Sequence, residues 1–234
     1  MHSRGEGIRE RLGAAFEGLV LFESTPGGAL QRVTSDTLSL ADFILPLKDV
    51  KTLIELGTGT GALALIAARS DKELRVTGVE LHSGAAVCAV ANVRSNSLTS
   101  RVEIIEQDWR SLYERFPKGS VDLVVSNPPY VKKGTGRISP DLHRAVARHE
   151  SAGTLRELVE LAAYLAGEHG RVAFVYPVGR FCELLGEVQR VGLRLLRLAF
   201  VYTERKADVQ EDPFLFLVEF GSCGGFKVDV PVFI

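Results

Sequence analysis

No excess of one charge sign marks this chain: 28 basic residues stand against 29 acidic ones, a net charge of −1 over 234 residues. A global basic field for nucleic acid or anionic lipid is therefore excluded, and any polyanionic partner must be met by a local patch. Cysteine is scarce as well. Cys88, Cys182 and Cys223 are far apart and odd in number, which excludes a disulfide framework and fits reduced thiols in a cytosolic protein. The 5 histidines show no ligand spacing with cysteines or acids, so no metal site is expected. No apolar run approaches the ~20 residues of a membrane span, and Met1 to Gly7 lack the apolar core of a signal peptide. The expectation is a cytoplasmic protein with no membrane contact, a monomer by default.

What the chain does have is 46% hydrophobic residues, enough to bury a sizeable core. Residues Ile8 to Glu17 read as a short helix, Leu19 to Glu23 and Leu30 to Val33 as a hairpin around Thr25-Pro26-Gly27-Gly28, and the stretch after Thr34-Ser35-Asp36 as a capped helix ended by Pro46. Residues 1–48 are thus expected to form a hairpin-and-helix extension packed on a main domain, 49–234. In that domain apolar strands alternate with helices: Val50 to Ile54, Leu74 to Glu80, Val102 to Ile105, Val121 to Val125, Arg171 to Tyr176, Leu193 to Val201 and Phe214 to Phe220. The fold class is α/β, a mostly parallel sheet with helices on both faces. Ligands of such sheets sit beyond the carboxyl ends of the strands.

Glu55-Leu56-Gly57-Thr58-Gly59-Thr60-Gly61 lies between the first strand and a helix. Alternate glycines let the backbone turn sharply and approach a ligand closely. Nicotinamide, flavin and S-adenosylmethionine (SAM) sites all use such a loop, and Gly57-x-Gly59-x-x-Ala62 also fits a dinucleotide fingerprint. Glu80 closes the second strand, where an acid can accept bonds from two ribose hydroxyls. Asp108 closes the third, placed to accept from an adenine amine. Trp109 or Leu81 is placed to pack on the adenine, with a core tryptophan as the bland alternative for Trp109.

Asn127-Pro128-Pro129-Tyr130 closes the fourth strand. An aryl or amide nitrogen is a poor nucleophile because its lone pair is delocalised. If the Asn127 side-chain oxygen and the Pro128 carbonyl each accept one N–H, the nitrogen is drawn toward tetrahedral geometry and its lone pair is aimed at a methyl donor. Tyr130 offers a stacking face. Next comes the cationic run Lys132-Lys133-Gly134-Thr135-Gly136-Arg137, with Arg148 further on. These residues read either as phosphate contacts or as a solvated loop.

Glu55 to Gly61, Glu80, Asp108 and Asn127 to Tyr130 together resemble class I SAM-dependent N-methyltransferases. More narrowly, the chain resembles the bacterial tRNA(Val) adenine-37 N6-methyltransferases. That match rests on Gln31-Arg32, Thr34-Ser35-Asp36, Leu40-Ala41-Asp42-Phe43, Lys132 to Arg137 and Ala147-Arg148-His149-Glu150. The resemblance implies a Rossmann-like sheet of seven strands with the last antiparallel, SAM as cofactor, a tRNA partner, and Thr34, Ser35 and Asp36 near the methionine end of SAM. A protein-glutamine N5-methyltransferase is the nearest alternative, since an amide presents the same planar nitrogen. A DNA adenine methyltransferase, a non-catalytic RNA-binding module and a dehydrogenase follow.

Overall fold

A computed structural model describes residues 6–23, 33–128, 153–202 and 212–234. Central strands β1 (Thr52–Leu56), β2 (Arg75–Glu80), β3 (Val102–Glu106), β4 (Leu123–Ser126) and β5 (Arg171–Pro177) run parallel. β7 (Leu215–Gly221) runs antiparallel between β5 and β6 (Arg194–Tyr202). The order β3-β2-β1-β4-β5-β7-β6 matches the seven-stranded expectation, with the two-residue strands β8 (Lys227–Val228) and β9 (Val232–Phe233) added beside β6. Tail segments of this length carry too little apolar periodicity to be read from sequence.

Both faces are covered, as near-continuous apolar strands require. On one face lie α1 (Glu6–Leu12), α2 (Ser35–Ile44) and α3 (Ala62–Ser70), whose buried residues share a cluster with Leu53, Val125, Ala173 and Leu217. α4 (Ser83–Ser95) packs over β2 and β3. On the other face, α5 (Leu155–Ala166) and α6 (Phe181–Arg190) bury Leu158, Leu161 and Leu184 against Ile54, Val124, Phe174 and Phe216. α5 begins at a capping box formed by Thr154 and Glu157.

The N-terminal region departs from the hairpin expectation in a way α3 explains. Ala62 to Ala68 are all buried, so α3 needs apolar cover on the side away from the sheet as well. Ile8, Leu12, Leu38, Leu40 and Ile44 supply it. Arg69 adds hydrogen bonds to the carbonyls of Ala14 (3.1 Å) and Glu17 (2.7 Å). Residues 19–23 form no strand. Their backbone pairs instead with two asparagines one turn apart, Asn92 in α4 and Asn96 at its C-cap. Asn96 accepts from Val20 N (3.0 Å) and donates to Val20 O (2.7 Å); Asn92 accepts from Phe22 N (2.7 Å) and donates to Phe22 O (3.0 Å). A carboxamide offers the same donor and acceptor as a peptide group, so the two side chains bond this segment as a neighbouring backbone would. The expected returning strand, Leu30 to Val33, lies outside the described residues apart from Val33.

Candidate active site

The strand registers line up the candidate residues along one edge of the sheet. Leu56 pairs with Val79 and Ser126, and Glu80 with Glu106. The glycine loop, Glu80, Asp108 and Asn127 therefore leave the sheet side by side at its carboxyl edge.

The loop is pinned to β2. The amides of Gly57 and Thr58 both donate to the Val79 carbonyl (2.9 and 3.0 Å), and Gly59 N donates to Glu80 (2.8 Å). Gly57, Gly59 and Gly61 have φ of 77°, 57° and 80°, a left-handed conformation that a side chain would strain. A Cβ on Gly57 would meet nothing within 4 Å, whereas one on Gly78 would come within 2.9 Å of the Thr58 hydroxyl. The loop thus closes tightly on β2 below and leaves open space above Gly57. Leu56 is in the core and Thr58 is buried with its hydroxyl turned to Glu55, so what these two offer a ligand is backbone.

Glu55 lies under the loop, 3% exposed. It accepts from the Thr58 hydroxyl (2.5 Å) and from Ala64 N (3.1 Å) in the first turn of α3. Burial pushes its carboxyl up from 4.5 to about 8, with the nearby Glu80 charge adding to the rise. A dinucleotide would seat its pyrophosphate on the amides of that first turn. Here Glu55 already takes one of them, and four loop amides bond internally, that of Gly61 to Thr58 O (2.9 Å) included. This arrangement fits a ligand without phosphates.

Glu80 suits a ribose. Its oxygens accept one backbone amide each, Gly59 N on Oε2 and His82 N on Oε1, both at 2.8 Å. A carboxylate has about four acceptor positions, so a lone pair on each oxygen remains for two neighbouring hydroxyls. The residues thus fit the sugar end of SAM.

Asp108 and Trp109 are placed differently from one another. Asp108 caps the short helix Trp109–Glu114 and is gripped by Arg110, whose Nε lies 3.0 Å from both carboxylate oxygens. Those hydrogen bonds hold the Asp108 carboxyl below its usual range. An adenine amine would have to share this carboxylate with Arg110. Trp109 is 8% exposed and packs in the core with Leu112 and Leu158, its ring close to the glycine at 153. That is the core-tryptophan position, and it leaves half-buried Leu81 as the apolar side chain next to Glu80.

At the end of β4, the Ser126 hydroxyl donates to Leu56 O (2.7 Å), fastening that strand to the start of the glycine loop. Asn127 follows directly. Its Nδ2 donates to the Thr37 hydroxyl in the first turn of α2 (3.1 Å). Thr34 caps that helix, accepting from Thr37 N (3.3 Å), and the two threonine hydroxyls lie 3.1 Å apart. Asp36 is also in this turn, its carboxyl pushed up by burial, with the Ser35 hydroxyl donating to it at 3.4 Å. Thr34, Ser35 and Asp36 belong to the same helix end as Thr37, the residue that bonds Asn127. Asn127 and Pro128 are half-buried. Pro129, Tyr130, Lys132, Lys133, Arg137 and Arg148, with the rest of 129–152, lie outside the described residues.

Sequence reading passed over Thr37, Ser126 and Gly78. Thr37 sits three residues after the N-cap, a spacing that announces helix capping but gives no hint of a partner 90 residues away. No group of three or more potential metal ligands occurs among the described residues, and none of their helices is long and apolar enough to cross a membrane.

Comparison with known proteins bears on the same region. The family model described as methyltransferase small domain matches residues 31–160. A protein of Tolumonas auensis named tRNA1(Val) (adenine(37)-N6)-methyltransferase is 33% identical over 175 residues, 74% of this chain and 71% of its own length. A protein of the same name from Porphyromonas gingivalis is 36% identical over 133 residues, 56% of this chain and 51% of its own. Among solved structures, a predicted O-methyltransferase from Agrobacterium tumefaciens has a TM-score of 0.63 at 17% identity, covering 85% of this chain and 86% of that one; at that identity the likeness shows the fold. The glycine loop, Glu80 and Asn127-Pro128 all fall inside the matched region, and this chain belongs to the methyltransferase small domain family, as a SAM-dependent methyltransferase of the class I fold.

Proposed function

We propose that the chain transfers a methyl group from SAM to the N6 amine of an adenine in tRNA, at anticodon-loop position 37 and in tRNA(Val). The observation that carries this reading is Asn127-Pro128 at the end of β4, tied through Ser126 to the glycine loop. The printed names of the relatives support the tRNA and the position. When bound, SAM supplies an electrophilic methyl on its sulfonium. Glu80 is read as holding the ribose hydroxyls, the backbone of Leu56 to Gly61 as the floor of the cofactor site, Leu81 and Asp108 as bordering its adenine, and Thr34 to Asp36 as bordering its methionine end.

Asn127 Oδ1 and the Pro128 carbonyl each accept one N–H of the target amine, so that its lone pair points at the methyl. Pro128, with φ fixed by its ring, holds its carbonyl in place. The N–C bond forms as the S–C bond breaks, and the surplus proton on the methylated nitrogen is acidic enough to leave to water. No strong base is needed. Pro129 and Tyr130 are assigned to fixing the loop and stacking on the base, and Lys132, Lys133, Arg137 and Arg148 to the RNA backbone. An anticodon-loop base is splayed out at little unpairing cost. Residues 1–48 we take as an extension of the one methyltransferase unit, since its helices cover α3.

The names of the relatives favour tRNA over protein glutamine as the methyl acceptor. The test is methyl transfer from labelled SAM to total tRNA lacking the modification, with nucleoside analysis. N6-methyladenosine in one tRNA, absent with Asn127→Ala, is expected. Label in protein and none in RNA would overturn the reading in favour of glutamine.

A further inference from the structure

The two ends of an asparagine side chain are nearly the same shape and opposite in chemistry. Turned one way, Asn127 meets an exocyclic amine with an acceptor; turned by 180°, it meets the amine with a donor, which repels it. β4 stops at Ser126, and the next residue, Pro128, has no N–H to offer. The choice is made from the first turn of α2, where the Thr37 hydroxyl lies 3.1 Å from Asn127 Nδ2.

We infer that Thr37 is a positioning residue for methyl transfer, setting which end of the Asn127 carboxamide faces the target amine; the inference rests on the reading of Asn127 as the amine acceptor. For Thr37 to accept from Nδ2, its own proton has to go elsewhere. The Thr34 hydroxyl, 3.1 Å away, is an acceptor within reach, and Thr34 is exposed, so its own proton can go to water. Asn127 Nδ2, Thr37 Oγ1 and Thr34 Oγ1 thus form one hydrogen-bonded chain. Thr34 is itself held in place as the N-cap of α2, and α2 is anchored by buried Leu38, Leu40 and Phe43. The Asn127 carboxamide is thereby tied to a helix that is itself anchored in the core. A valine at 37 keeps the shape of threonine but accepts no hydrogen bond. The carboxamide then loses its bond to α2.

The test compares Thr37→Val, Thr37→Ser, Asn127→Ala and the Thr37→Val/Asn127→Ala pair, with kcat and KM for tRNA, SAM affinity by calorimetry, and the Asn127 side-chain amide followed by NMR. Thr37→Val is expected to lower kcat about tenfold, a fraction of what misplacing a reacting group can cost, with KM for tRNA and SAM affinity within about twofold. Thr37→Ser should restore kcat, and in the Asn127→Ala background Thr37→Val should add nothing. The Asn127 side-chain amide signals should move in Thr37→Val and return in Thr37→Ser. Unchanged kcat and unchanged amide signals in Thr37→Val would overturn the inference, as would a loss in Thr37→Ser equal to that in Thr37→Val. An Asn127→Ala enzyme with full turnover would instead overturn the reading of Asn127 as the amine acceptor, and the NMR comparison would still report whether Thr37 holds the carboxamide.

Discussion

The cofactor side and the target side of the site are built from partners at very different distances along the chain. Glu55 is bonded by Thr58 and Ala64, three and nine residues away, and Glu80 by Gly59, 21 residues away. Asn127 reaches back 90 residues to Thr37. The first arrangement is a strand-loop-helix unit that carries its own hydrogen-bond partners. The second exists only once α2 has packed on the sheet. Local closure makes the proposed cofactor side tolerant of changes elsewhere, whereas the proposed target side depends on the docking of α2.

The sharpest way to break this comparison is Asn127→Ala. Loss of one preorganised hydrogen bond to the reacting group lowers turnover by about 10²-fold or more, while the glycine loop and Glu80 keep their bonds. Single-turnover methyl transfer should fall accordingly, and SAM affinity measured by calorimetry should stay within a few-fold. A matching loss of SAM affinity would mean that the two sides are not separable.

Glu80→Gln tests the other side. The amide retains one acceptor oxygen, so the Gly59 and His82 amides and the two ribose hydroxyls compete for it. Hydrogen bonds to a charged group contribute about 1.5–3 kcal/mol, so SAM affinity is expected to drop by about 10- to 100-fold. At saturating SAM, kcat should change little. If kcat falls as far as in Asn127→Ala, Glu80 is shaping the target side too.

The same contrast explains what was legible in the sequence. The alternation of strands and helices, the glycine loop and Glu80 fall within short windows, and both the periodicity and the end-of-strand positions gave them away. Asn127-Pro128 stood out because proline at a strand exit has a direct geometric meaning. Thr37 did not stand out, since its partner is fixed by tertiary packing and its position three after an N-cap has a sufficient local explanation. Trp109 was ambiguous for a related reason: an aromatic at a strand end serves a ligand or the core equally well, and the close packing of α5 put it in the core. The strand expected at Leu19 to Glu23 did not form, although the apolar run Leu19-Val20-Leu21-Phe22 reads as one. What they pair with is a row of carboxamides, and no sequence pattern distinguishes that from a ladder.

Glu55 gives a pH-dependent prediction confined to the cofactor side. Its carboxyl titrates near 4.5 when unfolded and at about 8 when folded. The folded state therefore holds the proton more tightly. The associated stability is complete below pH 4.5 and is lost as pH rises through about 8, with a slope of at most about 1.4 kcal/mol per pH unit from this one group. Glu55→Gln keeps an acceptor for Thr58 and Ala64 and cannot ionise. Thermal melts from pH 5 to pH 9 should show the variant losing less stability than the wild type toward the alkaline end. Parallel curves would place the ionisation elsewhere.

The smallest effect is expected from Asn96, and it probes how the N-terminal segment is attached. Asn96 and Asn92 pair with alternate residues of the segment, but their settings differ. Asn92 is fully buried and also donates to Thr60 O (2.9 Å) in the glycine loop, whereas Asn96 binds Val20 near the surface. Water replaces the bonds that Asn96→Ala removes, so the variant should lose about 0.5–1.5 kcal/mol in denaturant unfolding. Hydrogen exchange should quicken at Val20, whose amide loses its acceptor, and remain slow at Phe22, which Asn92 still holds. Fast exchange at both residues would mean that the segment detaches as a unit. The glycine loop, joined to it through Asn92, would then share in its motion, and the cofactor side would be less self-contained than its short-range bonds make it.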